Sequence, residues 1–161
     1  CIRDRYDLAA ACRNVYEYYN AVDSYKSGCA TLTVCDELER LATALHDINA
    51  GATKAVVAST LQSYDGMETH QFYDLEEYAL ALTADDARGQ AFVQQMERCF
   101  PPEGRFHTAQ FFSMYNNRMN DIRYYSGVTT YAPVETYSDD EQQQTYLNEW
   151  QQTAWYAATK R

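Results

Sequence analysis

Between Thr33 and Ile48 the apolar residues Val34, Leu38, Leu41, Leu45 and Ile48 recur at alternating spacings of four and three. That spacing draws one apolar stripe down one face of an α-helix. A stripe this narrow must be covered by other elements, so the segment is expected to be the central rod of a packed domain. Thr33 with Asp36 fits an N-cap with an acid at the third helical position, and Asn49 and Gly51 lie where a helix stops.

The rest of the chain repeats the helical period. Leu8, Cys12, Val15, Tyr19 and Val22 predict a first helix running to Ser27-Gly28. The phase resets at Gly51, after which Val57, Leu61 and Tyr64 make a short stripe closed by Asp65-Gly66. Glu68 to Leu82 carries Phe72, Leu75, Ala79 and Leu82 on one side, and a helix capped by Thr83 is expected to run to Phe100, ahead of Pro101-Pro102. From Thr108, residues Phe111, Tyr115, Ile122 and Tyr125 predict a further long helix capped by Gly127. Only 128–137, rich in β-branched residues and holding Pro133, reads as extended. Ser138 and Glu141 form a capping box before a last helix bearing Tyr146, Leu147, Trp150, Ala154 and Ala157. The expected fold is all-α: one domain over residues 1–161, a bundle of about six or seven helices.

Length permits this, since 161 residues bury a self-sufficient core and only 6 Gly and 3 Pro are available to break it into pieces. A formal net charge of -10 argues against nucleic acid, which would be repelled. No apolar run approaches the ~20 residues of a membrane-spanning helix.

Cys1, Cys12, Cys29, Cys35 and Cys99 show none of the paired short spacings of a zinc site. A chain opening on Cys1 reads as processed after removal of a signal peptide, which leads to the expectation of a secreted protein with disulfides. Cys1 and Cys12 are separated by too much helix rise to bridge. The simplest pairing is therefore Cys29 with Cys35 and Cys12 with Cys99, leaving Cys1 free for an intermolecular link; Cys1 in place of Cys12 is the rival.

The acidic groups Asp36-Glu37, Asp85-Asp86 and Asp139-Asp140-Glu141 each fall in a predicted first helical turn, where unpaired amides favour negative charge whatever the function. His70, Asp74 and Glu77 share a helical face and are the candidate metal set, but the pattern lacks the Glu-x-x-His pairs of di-iron bundles. No nucleophile elbow and no phosphate loop occur. No metal and no cofactor is therefore expected. The feature that most asks for a role is tyrosine, 15 against 6 Phe. In adjacent aromatic pairs a helix face buries one member, which marks Tyr18, Tyr124 and Trp155 as candidate binding residues. The chain is thus expected to be a secreted, non-enzymatic binding protein, taking a protein partner or a small apolar ligand. The alternatives are a subunit of a disulfide-linked assembly and a hydrolase or metal enzyme whose site assembles only in the fold.

Overall fold

The computed structural model describes residues 7–22, 26–52, 54–67, 70–84, 86–132 and 141–160. Cys1, Asp85 and the capping pair's Ser138 lie outside them. Six α-helices are described: α1 (Leu8–Val22), α2 (Leu38–Ala50), α3 (Leu75–Leu82), α4 (Asp86–Cys99), α5 (Glu141–Gln151) and α6 (Ala154–Thr159). Six short strands accompany them: β1 (Cys29–Thr31), β2 (Phe72–Asp74), β3 (Arg105–His107), β4 (Gln110–Ser113), β5 (Arg118–Asp121) and β6 (Thr129–Tyr131). They pair antiparallel as β1 with β3, β2 with β6 and β4 with β5.

The all-α expectation is therefore wrong, and the largest error is the helix placed over 108–127. That segment is a hairpin in which Gln110 faces Asp121 and Ser113 faces Arg118. Its reversal uses Asn117 at φ 53, a left-handed conformation that asparagine tolerates. Phe111 and Tyr115 recur at a helical interval without sharing a helix; the β-prone Phe111-Phe112 pair and the Asn116-Asn117 turn decide the local structure. The segment expected as a helix from Glu68 likewise enters as a strand, β2, and turns helical only at Leu75. β6 falls inside the stretch expected to be extended.

The central rod begins later than its stripe. Cys35–Glu37 forms a single tight 3-10 turn, and α2 follows from Leu38. Val34 is held out of the helix because its amide donates to the Cys99 carbonyl (2.8 Å), tying this entry to the end of α4. Leu41, Leu45 and Ile48 of α2 then close a core with Leu75 and Ala79 of α3 and Phe92, Met96 and Cys99 of α4. Trp155 of α6 packs against its edge. A second, smaller cluster joins Leu61, Tyr73 and Ala132 across β2 and β6.

α1 lies against β1 and β3 instead of in this core. Its own apolar stripe is only partly covered: Leu8 is 56% exposed and Val15 and Tyr19 are exposed as well.

Among the described residues no disulfide is formed: Cys12, Cys29, Cys35 and Cys99 are free thiols. The expected pairing of Cys12 with Cys99 fails because Cys99 is enclosed at the end of α4, where Glu37 and Cys35 are its electrostatic neighbours and its sulfur faces the Val34 carbonyl. Cys29 is taken into β1, whose partner is β3, and Cys35 into the turn before α2.

Candidate functional site

Strand register places one cysteine opposite one histidine. In the β1–β3 ladder Cys29 is the partner of His107, and directly opposed residues project to the same face of a sheet with Cβ atoms about 4.5–5.5 Å apart. The ladder is extended at this end by Thr108, whose amide donates to the Gly28 carbonyl (3.0 Å) and whose hydroxyl accepts from the Gly28 amide (3.1 Å). His107 places Nδ1 2.9 Å from the Thr108 carbonyl, a contact that requires Nδ1 to carry a proton. Nε2 of the neutral ring is then left as the basic nitrogen. The Tyr125 ring packs on the imidazole with centroids 4.8 Å apart, and its hydroxyl pairs with Thr31 Oγ1.

A cysteine and a histidine on one face suggest nucleophilic catalysis, yet the electrostatics oppose it. Cys29 keeps an exposed surface as a residue, but the protein atoms packed around its sulfur push the thiol up to about 11. Reactive cysteines have the opposite shift, produced by a cation, a helix N-terminus or a histidine that carries charge. Burial also raises Tyr125 to about 12, against the Thr31 hydrogen bond. Tyr64, whose ring contacts Tyr125, is raised mainly by burial too, with Asp74 and Cys29 adding to it. The Cys29 thiol and the hydroxyls of Tyr64 and Tyr125 therefore stay protonated at physiological pH.

Beside it runs a buried acidic strip. Asp74 is fully buried and caps α3: Oδ1 accepts from the amides of Glu76 (3.0 Å) and Glu77 (3.2 Å), and Oδ2 accepts from the Ser126 amide (2.8 Å). Desolvation nevertheless dominates and raises its pKa. Glu76 is buried as well. Tyr124 donates its hydroxyl to Glu76 Oε1, while Oε2 has no hydrogen-bond partner among the described residues. Burial raises the Glu76 pKa, with the Tyr124 hydrogen bond and Arg105 acting the other way.

A folded pKa above the unfolded one costs stability wherever the folded group is ionised, so the penalty is absent below the unfolded pKa and grows as pH rises through the folded value. Glu76→Gln keeps an oxygen for Tyr124 and removes that penalty. Its melting temperature should exceed the parent's by a few degrees at pH 7, with the gain shrinking toward zero near pH 4. Thermal unfolding monitored by circular dichroism across that range measures it.

The residues singled out from spacing do not assemble. His70 turns away from Asp74 and pairs with Asp65 (2.7 Å), whose carboxylate also accepts from the amides of Met67, Gln71 and Phe72. Glu77 accepts from the Gln62 amide. Among the described residues no group of three or more ligating side chains is poised for a metal ion. Tyr18 is 61% exposed and packs on Tyr19, the Tyr124 hydroxyl is spent on Glu76, and Trp155 is half-buried against the core. Ring contacts among the described residues link none of these three aromatics to another. The Cys29–His107 pairing was beyond sequence reasoning: the two residues meet only through strands far apart in the chain, and no short motif marks either.

No protein-family profile matches the sequence, and a comparison with curated proteins finds no match. Solved structures do match. A clostripain from Bacteroides thetaiotaomicron ATCC 29148, bound to the peptide inhibitor BTN-VLTK-AOMK, superimposes with a TM-score of 0.81 at 32% identity, over 96% of this chain and 64% of that one. A secreted C11 cysteine protease of the same species, "iotapain", gives 0.82 at 31% identity, over 96% and 41% respectively. An inactive zymogen C11 protease from Parabacteroides distasonis gives 0.77 at 22% identity, which bears on fold alone. These neighbours overturn the expected non-enzymatic binding protein: they are proteases of mixed helix and strand, and a hydrolase was the alternative. The physical reason is that a site assembled in three dimensions leaves no periodic trace, whereas exposed tyrosines do. Among the described residues no helix is long and apolar enough to cross a membrane. The chain has the fold of these C11 cysteine proteases and spans 64% and 41% of the length of the first two.

Proposed function

We propose that this chain is a portion of a peptide-bond-hydrolysing cysteine protease similar to clostripain, and that the attacking sulfur lies in the part of such a protein that these residues do not span. The observation that carries the reading is 32% identity to a clostripain at a TM-score of 0.81 over 96% of the chain. Two features favour a nucleophile elsewhere. The cysteine that faces a histidine has its thiol pushed up to about 11 by burial. The half-covered stripe of α1, with Leu8, Val15 and Tyr19 exposed, is the kind of surface a further portion of protein would cover.

In this reading the chain contributes a rigid wall and an electrostatic bias. Its net charge of -10 attracts cationic polypeptides, and the inhibitor held by the clostripain carries the sequence VLTK, with a terminal lysine. The description of iotapain as secreted supports an extracellular setting for this chain too.

The test is alkylation of the 161-residue chain by iodoacetamide, followed by peptide mapping across pH. The reading expects Cys29 to react slowly at pH 8, where a thiol titrating three units higher is about 0.1% thiolate, and its rate to keep climbing beyond pH 9. Alongside, the chain alone should not hydrolyse a fluorogenic Val-Leu-Thr-Lys peptide. Joined to the part of the B. thetaiotaomicron clostripain outside the aligned region, it should. Fast labelling already level at pH 7 and lost in His107→Ala, or hydrolysis by the chain alone that Cys29→Ser removes, would put the nucleophile here and overturn the proposal.

A further inference from the structure

One cleft is unused by anything described so far. β2 and β6 bring Phe72 and Tyr131 together as cross-strand partners, with rings edge to face at 5.5 Å. Trp150 of α5 continues the run at 5.2 Å from Tyr131. With Tyr115 from the β4–β5 turn and Tyr146 from α5, these rings line an open cleft of about 400 Å³, and the Glu149 side chain lines it as well. Rings whose task is packing are normally enclosed, but here Tyr115 is 72% exposed and Phe72 and Tyr146 are exposed too. Among the described residues that line the cleft there is no Lys or Arg.

Several aromatic rings around one carboxylate suit a cation. Each ring presents negative charge on its faces, Arg and Lys side chains bring an apolar stem together with a charged head, and the carboxylate supplies the counter-charge. An anionic or wholly apolar occupant would leave Glu149 opposed or unpaired. The surrounding field, from a chain of net charge -10, has the same preference.

We propose that this cleft is an accessory substrate site, taking a lysine or arginine side chain of the polypeptide to be cleaved, away from the scissile bond. The proposal rests on the peptidase reading for the word substrate; the binding itself is tested without hydrolysis. The 161-residue chain is titrated with acetyl-Gly-Ser-Arg-Ser-Gly-amide and with the same peptide carrying citrulline, a near-isostere without the charge, by calorimetry and by tryptophan fluorescence. The arginine peptide should saturate and bind about tenfold tighter than its citrulline counterpart. Tyr146→Ala should weaken it by a similar factor. Glu149→Gln should weaken the arginine peptide severalfold and leave the citrulline peptide unchanged. Both substitutions are on the surface and should leave the melting temperature near the parent value. Equal binding of the two peptides, no saturable binding, or binding indifferent to both substitutions in folded protein would overturn the site. Each of those outcomes leaves the alkylation result above unaffected, so the two proposals fail separately.

Discussion

Phe92→Ala should destabilise the chain by about 3–5 kcal/mol, the largest effect expected of any single apolar truncation here. Phe92 is 0% exposed on α4, inside the cluster that α2, α3 and α4 share, and it is among the largest side chains fully enclosed. Removing its ring subtracts the transfer free energy of the buried carbons. It also leaves a void which three packed helices can close only in part. Against a typical total stability of about 5–15 kcal/mol, such a loss takes the protein to the edge of unfolding at 37 °C. Urea denaturation followed at 222 nm should show the midpoint falling sharply with little change in slope. A midpoint close to the parent's would mean that the helices do not share one core.

Asp74→Ala comes second, at about 2–4 kcal/mol. The loss combines a helix cap, about 0.5–2 kcal/mol, with a buried amide left without its acceptor, about 1–3 kcal/mol. The carboxylate serves two elements at once: Oδ1 opens α3 through the amides of Glu76 and Glu77, and Oδ2 holds the amide of Ser126, which leads into β6. Asp74→Asn separates the two roles. Its one oxygen can still open the helix, while its amide group turns a donor toward the Ser126 amide. Asparagine should therefore recover part of the loss, and hydrogen exchange should show the Ser126 amide deprotected in both variants. Equal stability of parent and alanine variant would refute the double role.

What could be read from residue order was whatever depends on near neighbours. Leu41, Leu45 and Ile48 lie in the core as one stripe because a helix brings residues three and four apart together by itself. Phe111, Tyr115, Ile122 and Tyr125 satisfied the same rule and misled. Strands of three or four residues are too short to display their own alternation, so a chance helical interval dominated. The candidate site was illegible for a related reason. Cys29 meets His107, and Phe72 meets Tyr131, only after distant segments have paired. The disulfide expectation failed likewise, since sequence distance decided the pairing on paper and strand register decides it in the fold.

The β1–β3 ladder has a kinetic consequence as well. Gly28 and Thr108, which prolong it, are 80 residues apart, and closing a loop of that length costs about 4 kcal/mol of chain entropy before any contact repays it. During vectorial synthesis β1 leaves the ribosome before β3 and must wait with its edge unpaired while the whole stretch between them, α2 through α4, is made. The helical core of α2, α3 and α4 is complete before β3 emerges, so the three helices are positioned to collapse first and to hold that late partner's landing place open.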